Sequence, residues 1–183
     1  MLKKSIVEFC SPTLAGIKTG SIFSVKKNRK EITDEIRNLN EKLVDKGIRI
    51  IPIEKSEKNT LIYVYRPERL KKDLCKPEAS CILKEKGYIS ENCDLCLMKL
   101  IKRLKNDSDF PHEIGLFLGY PPSDVKCFMK SPCEGVNCIG CWKAYGNCEE
   151  AKKTFAQFQK CKEAYCKAID QGIEFESLVV KTG

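Results

Sequence analysis

Between Arg29 and Lys46, Ile32, Ile36, Leu39 and Leu43 recur at spacings of four, three and four, and Gly47 follows. That pattern predicts an amphipathic helix with a glycine stop. Ile48–Ile53 and Thr60–Tyr65 predict two strands joined by the polar turn Glu54–Asn59. Pro52 has no N–H to donate to a ladder, so its strand belongs at a sheet edge. In the other strand Leu61, Tyr63 and Tyr65 alternate with Ile62 and Val64, which predicts burial on both faces. Pro67 to Asn106 reads as helix in three pieces, broken near Lys76-Pro77 and Gly87, with Pro67 and Pro77 in first turns. Its last piece, Glu91–Lys105, turns Leu95, Met98, Ile101 and Leu104 inward. Asn147, with Glu150 three residues on, starts a long helix over Cys148–Gln171. Phe155, Phe158, Tyr165 and Ile169 form its apolar face, and Gly172 ends it.

The remaining segments carry weaker patterns. Leu2–Phe9 predicts a short helix ending before Ser11-Pro12, and Thr13–Ser21 a small-residue loop into a strand, Ser21–Val25. The apolar run Ile114–Leu118, set between Pro111 and the Gly-Tyr-Pro-Pro turn at 119–122, predicts a buried strand. In that strand His112, Ile114, Leu116 and Leu118 share one face, and Glu113, Gly115, Phe117 and Gly119 the other. Ser123 or Asp124 then caps a short helix carrying Val125, Phe128 and Met129. Ser131–Gly140 reads as a loop, Trp142–Tyr145 as a short strand, and the tail Ile173–Val180 as either a strand or a short docked helix. The order predicts an α+β fold: a small mixed or antiparallel sheet of ferredoxin-like split β-α-β topology, packed with helices. The Pro52 strand is one expected edge, and Ile114–Leu118 the other unless Trp142–Tyr145 covers it. A single domain over residues 1–183 is expected, with its core at about 13–130 and a cysteine-rich loop and long helix at 131–183.

Composition narrows the function classes. No apolar run approaches the roughly 20 residues of a membrane span. The basic Met1–Lys4 is followed by an apolar stretch too short, and interrupted by Glu8, for a signal-peptide core. A cytoplasmic protein is expected, whose twelve cysteines are thiols or metal ligands rather than disulfides. The net charge of +8 comes mostly from lysine and reads as a solvated face. No RNA-recognition, KH or zinc-finger signature accompanies it, which argues against nucleic acid as a partner. An acidic protein is the partner such a surface suits.

Cys10-Ser11-Pro12-Thr13-Leu14-Ala15-Gly16-Ile17-Lys18 and Pro111-His112-Glu113-Ile114-Gly115-Leu116-Phe117-Leu118-Gly119-Tyr120-Pro121 form two distinctive blocks. Gly140-Cys141-Trp142-Lys143-Ala144-Tyr145-Gly146, with the helix after it, forms a third. Together they resemble a family of clostridia and related bacteria known as domain of unknown function 3793. The resemblance spans nearly the whole chain and implies a bacterial, anaerobic, cytoplasmic single-domain protein. It implies no activity, cofactor or catalytic residue. Its blocks contain His112 and Cys10 but neither Cys-x-x-Cys pair.

Chemistry can sit on the cysteines. Cys93-Asp94-Leu95-Cys96 and Cys138-Ile139-Gly140-Cys141 are two Cys-x-x-Cys pairs with 41 residues between them. Four thiolates so arranged suit zinc or an iron–sulfur cluster, although a zinc ribbon usually leaves a gap of about 15–20 residues. Cys133 with Cys138, Cys141 and one distant partner is an equal alternative. Cysteines used as small apolar residues, or as redox thiols, also fit. Cys148, in the first turn behind Asn147, is placed as a reactive thiol, and Cys93 is similarly placed if Ser90 or Asn92 caps its helix. Cys161 lies on an apolar helix face and reads as structural.

His112 is the only histidine, so no nucleophile–base–orienter triad can be assembled. Its expected role is structural or, alongside Cys10 or another thiol, in binding a metal or cofactor, while Gly115 and Gly119 leave the other face of the strand open to a ligand. The leading reading is a cysteine-rich protein that handles a metal or redox equivalents. The alternative is a non-catalytic interaction module with a basic surface for an acidic protein or nucleic acid. An enzyme acting around His112 is a third reading.

Overall fold

The computed structural model describes residues 2–106 and 109–182. The chain divides into two compact units, Met1–Leu70 with Cys161–Gly183, and Lys71–Lys160. The structure is α+β, as its strand and helix patterns predict.

The first unit starts with α1 (Leu2–Leu14), whose residues Leu2, Ile6, Val7, Cys10 and Leu14 are buried along one stripe. The helix does not end before Ser11-Pro12 as expected. Pro12 lies in its last turn, where the missing N–H costs one intrahelical bond, and the buried Ser11 hydroxyl donates back to the Val7 carbonyl. After β1 (Gly20–Val25), Asn28 caps α2 (Arg29–Leu43), accepting from the Glu31 N–H at 2.9 Å. Ile32, Ile36, Leu39 and Leu43 are its buried face, and a 3₁₀ turn over Val44–Lys46 leads to Gly47 at φ +73°. Strands β2 (Arg49–Ser56) and β3 (Asn59–Tyr65) then form a hairpin whose ladders run longer than expected, leaving only Glu57 and Lys58 in the turn.

The sheet order is β1-β3-β2, with both outer strands antiparallel to β3. β1 and β2 are therefore parallel to each other, joined across α2 with β3 between them, which is a split β-α-β unit. The central β3 is buried on both faces, and Pro52 lies on an edge strand. That edge is partly closed by Asn40 of α2, whose side-chain amide donates to the Ile50 carbonyl at 2.9 Å and accepts from its N–H at 2.8 Å. No fourth strand joins this sheet among the described residues.

Arg66, directly after β3, ties this unit together. It is 2% exposed and directs all five donors at fixed acceptors. Its Nε donates to the Thr13 carbonyl (2.7 Å), one terminal nitrogen to the carbonyls of Leu14 (2.6 Å) and Val180 (2.9 Å), and the other to the Lys46 carbonyl (3.1 Å) and the Thr182 hydroxyl (2.6 Å). Burial lowers its pKa from the ordinary arginine value. The tail is a 3₁₀ turn, Phe175–Leu178, with Phe175 and Val179 in the core and the Val180 N–H bonded to the Leu14 carbonyl at 3.1 Å.

The second unit is made of shorter pieces. α3 (Pro67–Leu74) crosses the boundary between the units, and α4 (Pro77–Glu85) and α5 (Cys93–Asn106) follow. The breaks fall where Pro77 and Gly87 place them, with Gly87 at φ +72°. The buried face of α5 is Cys96, Leu97, Leu100 and Leu104, not the Leu95/Met98/Ile101 stripe, since Leu95 is 41% and Met98 65% exposed. Both stripes have helical spacing and share Leu104, so periodicity alone did not separate them.

Ile114–Leu118 is not a strand and belongs to no sheet. It forms the one-turn helix α6 (Ile114–Phe117), buried on every side. An apolar run this short has no face to betray its period. The deciding signal is Gly119, at φ +80°. Its N–H bonds to the Leu116 carbonyl (3.2 Å) and the Tyr120 N–H to the Gly115 carbonyl (2.9 Å), a Schellman ending that requires the left-handed residue. Pro121, not Ser123 or Asp124, caps α7 (Pro122–Lys130). Within the expected Ser131–Gly140 loop lies β4 (Cys138–Ile139), paired antiparallel with β5 (Lys143–Ala144). α8 (Cys148–Asp170), which passes into the first unit at Cys161, begins where Asn147 accepts from the N–H groups of Glu149 (3.1 Å) and Glu150 (3.2 Å). Residue 131, the expected limit of the core, lies inside this second unit.

Candidate functional site

Two buried carboxylates organise the second unit. Glu113, 2% exposed, accepts from the Tyr88 hydroxyl at 2.7 Å and pairs with Arg103. Burial, followed by that hydrogen bond, pushes the Tyr88 phenol well above its ordinary range. Asp124, 6% exposed, accepts from the Trp142 indole N–H at 2.8 Å through one oxygen. Its other oxygen takes the N–H groups of Tyr145 (2.9 Å) and Gly146 (3.1 Å). Asp124 therefore fixes the β4–β5 hairpin to α7 and sets the chain just before α8. Trp142 packs on Tyr120 at 5.1 Å and edge-on to Phe155 at 4.5 Å. The hairpin turn closes tightly at Gly140, where a Cβ would run into the Phe155 ring.

This frame brings Cys138, on β4, to Cys148, the first residue of α8. The Cys148 thiol donates to the Asn137 carbonyl at 3.8 Å, and the Cys138 sulfur lies 3.9 Å from the Cys148 carbonyl oxygen. Each cysteine thus meets the backbone beside the other. Lys152, one turn along α8, pairs with Glu149 at 3.3 Å, and that contact, then the neighbouring Cys148, raises its pKa. The Cys138 thiol is held above its ordinary value first by its bond to Cys148, then by burial and by the charge Cys148 carries when ionised. Both residues are half-buried.

The other cysteines sit elsewhere. Cys141 is exposed in the hairpin turn, its carbonyl accepting from the Tyr120 hydroxyl at 3.0 Å. Cys133 is exposed; together with Cys127 it raises the Tyr145 phenol, after burial as the first cause. Asn92 does cap α5, accepting from the Leu95 N–H at 3.0 Å. Cys93 nonetheless has its thiol pushed up to about 11, by burial first and then by Asp94, Cys96 and Cys75. The buried Cys96 donates to the Ile89 carbonyl at 3.2 Å. Among the described residues no three or more of His, Cys, Asp and Glu are gathered as metal ligands. The structure thus assembles neither a four-thiolate set from Cys93, Cys96, Cys138 and Cys141 nor a cluster of Cys133 with Cys138 and Cys141.

His112 is exposed, between the rings of Phe110 (6.1 Å) and Phe128 (5.1 Å). With Gly115 it lines a cavity of about 450 Å³ in this unit. The space left by the missing Gly115 side chain is occupied, since a Cβ there would meet Val125 at 2.7 Å and Tyr120 at 3.2 Å. Gly119 serves the end of α6. Sequence reasoning missed Asp124 as an anchor; a carboxyl in the first turn of a helix reads as a cap, and nothing local marks it as buried. The partnership of Cys138 with Cys148 also escaped it, because the short hairpin that brings them together lies partly inside an expected loop.

No helix among the described residues is long and apolar enough to cross a membrane. No curated protein and no solved structure matches the chain. One family model, described as protein of unknown function (DUF3793), matches residues 6–179. That span takes in the split β-α-β sheet, the one-turn helix, the hairpin and all of α8, and the chain belongs to the DUF3793 family.

Proposed function

We propose that the protein is a thiol-redox protein in which Cys138 and Cys148 pass between dithiol and disulfide by exchange with a disulfide-bearing substrate. The observation that carries this reading is the close placement of the two cysteines, the Cys138 sulfur of a hairpin strand lying 3.9 Å from the carbonyl oxygen of Cys148 at a helix start. The positive end of the α8 dipole lies at Cys148, its first residue, and favours a sulfur anion there. Cys148 attacks one sulfur of the substrate, forming a mixed disulfide and releasing the first substrate thiolate. Cys138, after losing its proton, attacks the Cys148 sulfur and releases the second. The two protein thiols lose two electrons, the substrate disulfide gains them, and two protons leave the protein thiols for the released sulfurs or solvent.

Exposure of the reduced protein to oxidised glutathione tests this. The wild-type chain is expected to end with an internal Cys138–Cys148 disulfide. Cys138→Ser is expected to stop at a glutathione adduct on Cys148, and Cys148→Ser to form neither product. An adduct on another cysteine in Cys138→Ser, or a wild-type protein left fully reduced, contradicts the reading.

A further inference from the structure

The cavity beside the hairpin has the size and lining of a small-molecule site. Its volume of about 450 Å³ lies toward the lower end of ligand pockets, which run at roughly 300–1,000 Å³. Tyr120, Phe128 and Trp142 supply aromatic walls and Ile114 an aliphatic one. Most of its polar atoms are engaged away from the space. The Tyr120 hydroxyl donates to Cys141, the Trp142 N–H to Asp124, and both Asp124 oxygens are taken. What remains is concentrated at Phe128. The Lys143 ammonium lies 5.7 Å from that ring, with the Pro132 carbonyl as a hydrogen-bond acceptor at 2.9 Å. The His112 ring stands edge-on to Phe128 at 5.1 Å and lines the same cavity as Lys143, its nitrogens without a hydrogen-bond partner among the described residues.

We infer that this cavity binds a small aromatic carboxylate, its flat body among Tyr120, Trp142 and Phe128 and its carboxylate at Lys143 and His112. Stacked and edge-on rings favour a flat π-bearing ligand over a flexible alkyl chain. An anion entering an apolar site needs a charged hydrogen-bond donor, and Lys143 has two N–H donors left after Pro132. The volume admits one or two rings and excludes a dinucleotide. This inference is independent of the thiol chemistry, and titrating Cys148→Ser alongside the wild type keeps the two apart.

The probe is biphenyl-4-carboxylate, followed by calorimetry and by the single indole N–H resonance of Trp142, the only tryptophan. Saturable one-to-one binding that moves this resonance is expected. The neutral 4-biphenylmethanol and the aliphatic decanoate should each bind at least about tenfold more weakly, the scale of one charged hydrogen bond or one aromatic contact. Lys143→Met should weaken the carboxylate about tenfold and leave the alcohol unchanged. The inference is overturned if the folded wild-type protein shows no saturable binding, or if the Trp142 resonance stays still. It is equally overturned if the alcohol or decanoate binds as tightly as the aromatic acid.

Discussion

The two units bury charge in opposite ways. In the first, Arg66 sends five donors to acceptors at the ends of regular elements: the last residues of α1, the turn after α2 and the tail. Its helix and strands already carry apolar faces that close on one another, and the arginine ties their ends. In the second, Glu113 and Asp124 are acceptors: Glu113 joins Tyr88 to Arg103 of α5, and Asp124 collects its donors from the short hairpin and the turn after it. A four-residue helix and two-residue strands have too little hydrogen bonding of their own to hold a unique shape. There the carboxylates define the structure, and both the thiol pair and the cavity lie in that unit.

The largest expected effect is in the first unit. Arg66→Met leaves four backbone carbonyls without their donor, those of Thr13 and Leu14 buried and those of Lys46 and Val180 partly so, and should cost about 3–5 kcal/mol, the range for removing one member of a buried charged network. Urea unfolding measures it, and hydrogen exchange should rise first around Leu14, Lys46 and Val180. A loss below about 1 kcal/mol would mean that the carbonyls find other donors or water, and the ends are not tied as described.

Next comes Asp124→Ala, expected to cost about 2–3 kcal/mol, typical of hydrogen bonds to a charged group. Its sharper readout is local. Trp142 emission should move to the red as its indole loses its partner, and formation of the Cys138–Cys148 disulfide should slow. Hydrogen exchange in β3 should stay as it is. Unchanged fluorescence would show that the hairpin does not depend on Asp124, removing half of the contrast between the units.

Alkali offers a smaller test of the same unit. Burial, and then Cys141, push the Tyr120 phenol up to about 12 from its ordinary 10.0. The folded state therefore holds this proton where the unfolded state has lost it, and stability falls as pH rises from about 10 through 12. Tyr120→Phe should flatten that part of the alkaline decline, as read by urea midpoints across the range. An equally steep decline in the variant would assign it to other groups.

Gly119→Ala should have the smallest effect, about 1 kcal/mol, because a Cβ is strained at φ +80°. Thermal unfolding compared with Gly135→Ala, where the glycine also has positive φ but a Cβ would meet nothing, separates backbone strain from lost packing. Equal costs would assign the effect to strain alone; a larger cost at 119 adds the burial of α6.

This contrast also accounts for what was legible in the sequence. α2, β2, β3 and α8 were readable because caps, periodic apolar positions and stop glycines agree with one another there. α1 ran past its expected end because a proline in a last helical turn loses little. Ile114–Leu118 was misread because a fully buried segment has no polar face to set its period, and Gly119 serves a helix end where a strand glycine was expected. In the candidate site, His112 and Gly115 were visible as unusual residues in an apolar block, and Cys148 as a thiol behind a cap. Its connection to Cys138 depends on Asp124 and a two-residue strand pairing, long-range contacts that no local pattern encodes.

The thiol pair is tested most directly by equilibrating the wild-type protein across glutathione redox buffers, blocking free thiols at each potential and mapping the peptides. The account predicts that one cystine, Cys138–Cys148, appears in a single two-electron transition while the other ten of the twelve cysteines stay reduced, as alkylation after unfolding shows. A first cystine joining any other pair, such as Cys138 to Cys141 or Cys93 to Cys96, would contradict it.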